Sequence, residues 1–454
     1  MKTTRRTLLT LSLLAGIQSA AFAAGSYPRS GWVAPLHPGQ HQSRGLATIV
    51  DERTIRVDHF TYDGLAPAVY FYLGVTDSQP SYINGIPIGP RLDRAYNDET
   101  VMVQLPEGET IDGYGAISVW CAQFHANFTS ASFRCPGDLN GDYVVDLSDL
   151  AQLLGHYGAT GVPYSSGDLD GDRDVDLGDL AELLSLYGMV CNPRLDMMFD
   201  GLEDLGADYV YEGWLIVDGA PVSTGRFSID ENGEPFPAWF VVYASDAADA
   251  TAFVLTIEPA VGDDPAPAQT HVLAGAWDGE SAALSIGHAA ALGDDFSTAS
   301  GGFILATPST GGDPDDYDQG IWWLDPAAGP GPSLMLPTLP AGWAYEGWVA
   351  GPNGPISTGR FLSVSGADSD GTGPTAGPDA GPPFPGQDFI NPPISLIGYA
   401  AVISVEPEPD NSPAPFAIKP LIDMNIEDVG AGVIQSMGNN AAGSPSGMVS
   451  LSMN

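Results

Sequence analysis

The sequence predicts a multidomain, mainly β protein with a β-sandwich N-terminal domain, a small all-α module and two β-sandwich-like C-terminal repeats. The first observation is composition: 56 Gly and 39 Pro among 454 residues favour short strands joined by turns. The second is that short β-branched and aromatic runs recur along the chain between Gly, Pro and Asp clusters. The third is length, since roughly 150 residues per domain implies about three domains.

Charge is strongly unbalanced, with 57 acidic against 15 basic residues and a formal net charge of −42. Such a surface repels nucleic acid phosphates and anionic lipids, so we expect neither as a partner. Cations are better candidates. Residues 135–191 contain 11 acidic residues and one basic residue, and residues 192–454 contain 35 and four.

Residues 1–23 have the three parts of an export signal: basic Lys2, Arg5 and Arg6, an apolar run, and Ala21-Phe22-Ala23 before the predicted cleavage point. The sequence therefore predicts a secreted protein, extracellular or periplasmic. Arg5-Arg6 leaves both the general and the twin-arginine route open, and an uncleaved anchor is the alternative interpretation. No later apolar stretch approaches the ~18 residues that a membrane-spanning helix needs.

Residues 24–130 are predicted to form the β-sandwich, from short β-branched and aromatic runs between turn residues: Ala47–Val50, Thr54–Val57, Val69–Tyr72, Thr100–Val103 and Ala116–Trp120. The order of these motifs, ending in Val119-Trp120-Cys121, resembles the DM13 domain. That resemblance implies electron transfer through Cys121, which is the redox candidate. A buried inert thiol, a disulfide and a weak metal pair with His125 on the same strand face are the alternatives.

Residues 135–191 contain two acidic loops, 30 residues apart, with oxygen side chains at loop positions 1, 3, 5, 9 and 12. Calcium takes six to eight oxygen ligands from such loops, including one backbone carbonyl at position 7. The sequence therefore predicts two Ca²⁺ ions. Their ligands are Asp138, Asn140, Asp142, Val144, Asp146 and Asp149 in the first loop, and Asp168, Asp170, Asp172, Asp174, Asp176 and Asp179 in the second.

Each loop runs into a leucine-rich helical pattern followed by Gly158 or Gly188. With its loops, this block closely resembles a type I dockerin, an EF-hand-like module. The resemblance implies a cohesin-like extracellular protein partner and an association with polysaccharide degradation. Two features depart from the family: position 6, usually Gly, is Tyr143 or Arg173, and the recognition positions hold Leu147-Ser148 and Leu177-Gly178.

Two of the three cysteines flank the module at 135–191, and the third, Cys121, precedes it. Cys135 precedes the first loop and Cys191 follows the second helix, so a disulfide between them would join the ends of the module. An exported compartment permits it, and closing a loop of this size stabilises by roughly 4 kcal/mol in the entropy model. Cys121 with Cys135 is the competing pair.

The C-terminal half repeats itself. Tyr211–Trp214 and Ala220–Phe227 return 134 residues later, and Val254–Pro259 returns 148 residues later. We expect two β-rich repeats at 195–340 and 341–430, followed by a flexible tail at 431–454. The motif order resembles the extracytoplasmic domain of anti-sigma-K factors, which implies a fold and not a role.

Two features of this half have competing interpretations. Arg226 and Arg360 are expected to pair with Glu212 and Glu346, the alternative being a ligand clamp. Trp322-Trp323 is expected to lie in a buried strand, the alternative being an aromatic platform for carbohydrate.

The sequence contains no nucleophile elbow, no zinc-protease helix and no phosphate-binding glycine loop. An enzyme is therefore not expected. The favoured hypothesis is a secreted, calcium-binding interaction or scaffold protein. The alternatives are an extracellular electron-transfer protein using Cys121 and a carbohydrate-active accessory protein.

Overall fold

The computed structural model describes residues 27–311, 315–327, 329–410 and 412–452. The predicted export signal at residues 1–23 lies outside the described residues. The molecule is mainly β, with several antiparallel sheets and short helices. It divides into multiple domains, as the sequence predicted.

The N-terminal domain packs two four-stranded sheets, β1-β2-β3-β6 and β5-β4-β7-β8, against each other. Side chains from both sheets, including Ile55, Phe60, Phe71 and Val119, form its buried core. Its elements are β1 Val33–Leu36, β2 Arg44–Asp51, β3 Thr54–Tyr62, β4 Val69–Gly74, α1 Gln79–Ile83, β5 Ile86–Ile88, β6 Tyr96–Gln104, β7 Ala116–Cys121 and β8 Ala126–Ser132, with a 3₁₀ turn at Gln40–Gln42. The predicted strand runs all lie within these strands.

The middle module contains two helices, α2 Leu147–Gly155 and α3 Leu177–Leu186, and a 3₁₀ turn at Tyr164–Ser166. Its small core is built from matching residues of the two halves, such as Leu153 and Leu183. Val33 and Leu46 of the N-terminal sandwich belong to the same core. The module is therefore packed against its neighbour and does not hang on a linker.

The C-terminal half contains a nine-stranded sheet of order β12-β11-β10-β14-β15-β16-β28-β9-β13 and a five-stranded sheet of order β22-β21-β24-β25-β27. Smaller sheets pair β23-β18-β17-β26 and β19-β20. The elements are β9 Arg194–Asp200, β10 Tyr209–Val217, β11 Ala220–Ile229, β12 Pro235–Phe236, β13 Trp239–Val241, α4 Ala244–Asp249, β14 Ala250–Pro259, β15 His271–Ala276, β16 Ser281–Ser285, β17 Gly302–Leu305, β18 Gly320–Trp322, β19 Leu324–Asp325, β20 Gly331–Pro332, β21 Trp343–Gly351, β22 Gly354–Phe361, β23 Gly386–Asp388, β24 Ala400–Pro407, β25 Leu421–Asp423, β26 Gln435–Ser436, β27 Gly438–Asn439 and β28 Ser446–Ser452, with 3₁₀ turns at Pro308–Thr310, Tyr317–Gln319 and Ala441–Gly443.

The duplication is visible as two equivalent strand sets, β11-β10-β14 and β22-β21-β24, each pairing in the same order. The two repeats nevertheless share one buried core, which runs from Leu195 through Trp343 to Val449. The predicted boundary at 340–341 thus separates the repeated motifs but not two independent cores.

The segment at 431–454, predicted to be a flexible tail, contains a strand in the structure. Residues 446–452 form β28, an inner strand that pairs with β16 on one side and β9 on the other. Val449 is fully buried between Ala282 and Met197. The Gly, Ser and Asn content of this segment concealed a strand whose stability comes from its two neighbours, which are distant in sequence.

Candidate metal centre and neighbouring sites

The first acidic loop is organised around the buried carboxylate of Asp149. Its Oδ1 accepts hydrogen bonds from the backbone N–H groups of Leu139 at 2.8 Å and Asn140 at 3.2 Å. Its Oδ2 accepts one from the N–H of Asp146 at 2.9 Å. Asp149, at loop position 12, therefore connects the beginning of the loop to the beginning of α2 through hydrogen bonds.

The second loop repeats these contacts around Asp179. Its Oδ1 accepts from Leu169 N–H at 2.6 Å and Asp170 N–H at 3.3 Å, and its Oδ2 accepts from Asp176 N–H at 2.8 Å. Asp146 and Asp176 each cap the following helix in a reciprocal capping box. The same side chains thus satisfy the open N–H groups at the start of each helix and orient oxygens towards the loop.

The side chains at the early loop positions also face the loop backbone. Asp138 Oδ1 accepts from Gly141 N–H at 2.7 Å, and its Oδ2 accepts from Tyr143 N–H at 3.1 Å. In the second loop, Asp168 accepts from Arg173 N–H at 3.0 Å. Positions 3 and 5 close short Asx turns, in which each side-chain oxygen accepts the N–H two residues on: Asn140 to Asp142, Asp142 to Val144, Asp170 to Asp172, and Asp172 to Asp174.

Position 6 turns sharply without glycine. Tyr143 has a φ of 66° and Arg173 a φ of 81°, both in the left-handed region that favours glycine. Position 6 therefore requires the left-handed conformation for which the family uses glycine. Tyr143 and Arg173 adopt that conformation although they carry a Cβ atom. In both loops the residue's carbonyl is held from outside, by Cys191 N–H at 2.9 Å and by Gly161 N–H at 2.6 Å.

Each loop is braced by the segment that follows the other helix. Val144 forms an isolated antiparallel bridge with Val190, and Asp174 forms one with Thr160. In such a bridge the flanking backbone groups form the hydrogen bonds, so the position-7 carbonyls of Val144 and Asp174 point away from the partner segment. These are the carbonyls that the spacing assigns to calcium.

Carboxylates converge most closely in the second loop. One oxygen each from Asp168, Asp170 and Asp179 lies within 4.8 Å of the others, and the same holds for Asp174, Asp176 and Asp179. Burial, together with the charges of Asp179 and Asp170, raises the pKa of Asp168 to about 6, although the N–H of Arg173 opposes it. Burial also raises the pKa of Asp138. Hard oxygens gathered at this range fit Ca²⁺.

The ends of the module are joined by a disulfide between Cys135 and Cys191, with an S–S distance of 2.02 Å. This is the preferred pairing of the sequence analysis. The disulfide lines a cavity of about 550 Å³ between the module and the N-terminal sandwich, together with Trp32, Arg56, Asp170 and Glu182. One position of the second loop, Asp170, is therefore also part of the cavity wall.

The outer faces of the two helices are apolar and exposed. Leu147 is 66% exposed and its counterpart Leu177 is 67% exposed. The other members repeat in the same way: Leu154 with Leu184, and Tyr157 with Tyr187. We call the two sets the first and second apolar faces of the module. Of the predicted helix pattern, only Leu150, Leu153, Leu180 and Leu183 pack inwards.

Cys121 is the last residue of β7, buried and not in a disulfide. Its Sγ donates a hydrogen bond to the Pro67 carbonyl at 3.0 Å. The suggested metal pair with His125 is wrong, because the strand ends at Cys121 and His125 lies in the turn before β8, with a φ of 50°. The alternation that would place them on one face does not extend that far.

In the C-terminal half, Arg226 Nε lies 3.5 Å from Glu212 Oε2 and Arg360 Nε lies 3.3 Å from Glu346 Oε2. The predicted ion pairs are thus present in both repeats. Trp322 and Trp323 are buried, at 1% and 0% exposure, so they offer no carbohydrate platform. Sequence reasoning missed a second buried glutamate in each repeat, Glu258 and Glu406. Their signal was the Glu-Pro pair that ends the repeated Val254–Pro259 motif.

Two family profiles match the chain. Residues 36–133 match "Electron transfer DM13", and residues 193–272 match "Anti-sigma-K factor rskA, C-terminal". The resemblances to DM13 and to the anti-sigma-K domain are confirmed, the latter for the first repeat, whereas the dockerin resemblance stays a prediction. The chain is also similar to two Drosophila melanogaster proteins, Protein Skeletor isoforms B/C and isoforms D/E, each 37% identical over 133 residues, or 28% of this chain.

The matched segment spans only 17% and 9% of the length of those two relatives. No solved structure matches the chain. Among the described residues, no helix has the length and apolar character required to cross a membrane. The comparisons thus identify similar domains but not what the whole protein does.

Proposed function

We propose that residues 135–191 bind two Ca²⁺ ions and that the calcium-loaded, dockerin-like module attaches this secreted protein to an extracellular protein partner of the cohesin-like kind. The observation that carries the proposal is the twofold repetition of one oxygen-lined loop, down to the same three backbone contacts around Asp149 and Asp179. Repetition in such detail is what a pair of ion-binding loops requires.

Calcium binding would stabilise the folded structure of the module. Each loop gathers carboxylates whose mutual repulsion opposes the folded geometry, and a divalent cation removes that repulsion. The loops in turn begin α2 and α3 through their capping boxes. Calcium binding is therefore expected to stabilise the helices that display the apolar faces.

The two apolar faces supply the docking surface. They expose matching residues from two helices of one module, so a partner with a single apolar patch flanked by polar groups could bind either face. The departure at the recognition positions, leucine in place of a hydroxyl residue, favours a partner that is more apolar there than the usual cohesin. The identity of the partner has to be measured by binding, because the fold does not specify it.

The test uses the full mature chain, since Val33 and Leu46 form part of the module core. Immobilised protein is incubated with secreted proteins of the source culture, with calcium and with EGTA, and captured proteins are identified. The same capture is repeated with Leu147→Ser/Leu154→Ser, Leu177→Ser/Leu184→Ser and the quadruple variant.

We expect capture only with calcium, nearly normal capture by either double variant and loss with the quadruple variant. A matched control is Met198→Ser, which changes an exposed apolar residue of β9 outside the module. Equal capture with EGTA, or by the quadruple variant, would contradict the proposal. Calcium binding itself is measured separately by isothermal titration, with Asp149→Ala and Asp179→Ala each removing one ion.

A second candidate function, electron transfer through Cys121, is favoured by the match to the DM13 profile. Cys121 would give one electron to an acceptor and its thiol proton to solvent. Burial and the Pro67 hydrogen bond mean that β7 or the 62–68 turn must open first. The test is reduction of ferricyanide by wild-type protein and Cys121→Ser; an equal rate would exclude this role, and a rate lost with partner capture intact would support it.

A further inference from the structure

The two acidic loops of the module have different neighbours, although their internal contacts are alike. Gly141 and Gly171 occupy loop position 4, with φ values of 83° and 82°. A Cβ atom placed on Gly141 would meet nothing within 4 Å. A Cβ atom placed on Gly171 would lie 3.0 Å from the Cβ of Leu46, on β2 of the N-terminal sandwich. The second loop is therefore packed against the sandwich at a position where the first loop is exposed.

Loop position 3 differs in the same way. In the first loop, the Asn140 side chain donates a hydrogen bond to Asp142 Oδ2 at 2.9 Å, within the loop itself. Its counterpart Asp170 lines the cavity of about 550 Å³ between the module and the sandwich, together with Arg56 and His59 of β3. The position at which an acid replaces an amide is therefore one that borders basic side chains of the sandwich.

The helix that follows each loop repeats the difference. Gln152 of α2 donates hydrogen bonds to the carbonyl oxygens of Ser165 at 2.6 Å and Leu139 at 3.4 Å, inside the module. Glu182, its counterpart on α3, lines the cavity that Arg56 also lines. The second loop and α3 thus face the sandwich, whereas the equivalent side chains of the first half are used within the module.

The first loop borders the connection to the C-terminal half instead. The Tyr143 carbonyl accepts a hydrogen bond from Cys191 N–H at 2.9 Å. The next residue, Asn192, accepts one through Oδ1 from Ala244 N–H of α4 at 3.1 Å. In the second loop, the Arg173 carbonyl is held by Gly161, which lies between the two helices of the module. The two loops are therefore next to different domains.

We propose that calcium binding by the second loop, residues 168–179, is coupled to the packing of the module on β2 and β3, and that calcium binding by the first loop is not. Leu46 is the positioning residue. It contacts Gly171, which lies between Asp170 and Asp172, so it restrains the turn that directs both proposed ligands towards the ion. The inference rests on the proposed calcium binding of the loops.

Coupling of this kind is reciprocal. Whatever stability the ion adds to the contact between loop and sandwich, the contact adds to the affinity of the loop. Calcium at the second loop would therefore hold the DM13-like domain more firmly against the module, while calcium at the first loop would leave that contact unchanged. The two ions would have different roles in one chain.

Gly171→Ala and Gly141→Ala test the contact as a matched pair. Both place a Cβ atom at the same positive φ, so the backbone strain is the same, but only Gly171→Ala also meets Leu46. Each variant is titrated with calcium in the full mature chain, with the other loop disabled by Asp142→Ala or Asp172→Ala. We expect Gly171→Ala to lose about tenfold more affinity than Gly141→Ala. Adding Leu46→Ala to Gly171→Ala should restore part of the loss, because it removes the crowding.

Hydrogen exchange with calcium and with EGTA tests the coupling directly. Asp142 and Asp172 are the matched positions, since both are exposed and each accepts one backbone N–H, from Val144 and from Asp174. Calcium should slow exchange of the β2 and β3 amides in wild type and in Asp142→Ala, and this slowing should be lost in Asp172→Ala. Strands β4 and β7 are the internal reference, because none of their residues belongs to the module core or lines the cavity.

Two results would overturn the inference. One is equal slowing of β2 and β3 in Asp142→Ala and Asp172→Ala, and the other is a wild-type chain that binds two ions without any slowing. A wild-type chain that binds no ion in the titration would overturn the proposed function, and this inference with it. The titration therefore distinguishes failure of the coupling from failure of calcium binding.

Discussion

The middle module and the C-terminal half are both acidic, but their carboxylates are arranged differently. In the module, 11 acidic residues stand beside one basic residue within 57 positions, and most of them point into two loops. In the C-terminal half, 35 acidic residues are spread over 263 positions, and many close exposed turns. Net charge alone therefore says little about metal binding, and the direction of each carboxylate decides it.

The contrast extends to what holds each region together. The module has a small core, two helices of about ten residues and one disulfide. The C-terminal half has one continuous core across two repeats and no disulfide in the part of the chain described here. We therefore expect the module to respond to metal and redox conditions, and the C-terminal half to respond mainly to the protonation of its buried carboxyl groups.

The largest expected effect on calcium binding separates a converging carboxylate from a solvated one. Asp149→Ala removes a proposed calcium ligand and the acceptor of three backbone N–H groups, so the free energy of unfolding of the module should fall by about 3 kcal/mol. Calcium affinity of the first loop should fall more than 100-fold, roughly, as for loss of a bidentate ligand. Hydrogen exchange of the α2 amides measures the loss of stability, and calorimetric titration measures the loss of calcium affinity.

The control for this change is Asp278→Ala in the C-terminal half. Asp278 also accepts two backbone N–H groups, from Glu280 and Ser281, but in an exposed turn. We expect little change in the exchange of β15 and β16. Similar losses from both substitutions would remove the distinction between the two kinds of carboxylate.

The next effect concerns the disulfide. Replacing Cys135 and Cys191 together by Ala should lower the free energy of unfolding of the module by about 4 kcal/mol, the entropic value for a separation of 56 residues. The C-terminal half should be unaffected because its core does not include the module. Region-resolved hydrogen exchange would distinguish this from a uniform loss of protection, which would contradict the expected independence.

Sequence reasoning succeeded where the signal was local. The spacing of Asp138, Asp146 and Asp149 predicted a tight loop that runs into a helix, because twelve consecutive residues determine the path of the loop. The pairing of Arg226 with Glu212 followed from the repeated motifs of two adjacent strands. The export signal and the function of the loops remain predictions.

It failed where partners are distant in sequence. The bracing of each loop by Val190 or Thr160 depends on how the two helices pack. Burial of Glu406 depends on the register between β21 and β24. The strand at 446–452 forms because its backbone pairs with β16 on one side and with β9 on the other. None of these contacts leaves a periodic signal in the residues concerned.

A smaller effect is an opposite response to pH. Burial raises the pKa of Glu203 and of Glu406 to about 7 in the folded protein, above the unfolded value near 4.5. Stability from these groups is complete below about pH 4.5 and is lost as the pH rises through 7. In EGTA, we expect the C-terminal half to be about 2 kcal/mol more stable at pH 5 than at pH 8.

Calcium binding by the module should change in the other direction, because its carboxylates must be deprotonated to bind the ion. Titration at pH 5 and pH 8 should therefore show weaker calcium binding at the lower pH. Thermal unfolding followed by tryptophan fluorescence in EGTA reports the C-terminal half. Parallel responses of the two regions would show that their carboxyl groups are in equivalent environments. Glu406→Gln should reduce the pH dependence of the C-terminal half only.

The smallest effect tests position 6 of the loops. Tyr143→Gly and Arg173→Gly replace residues held at positive φ, so each should relieve about 1 kcal/mol of backbone strain and raise calcium affinity several-fold. Asp218→Gly makes the same change in an exposed hairpin of the C-terminal half, where φ is 51°. It should leave calcium affinity unchanged, because the strain relieved there is not coupled to a loop that closes around an ion. Equal affinities for Tyr143→Gly and wild type would mean that Cys191 N–H, which holds the Tyr143 carbonyl, already compensates for the strain before calcium binds.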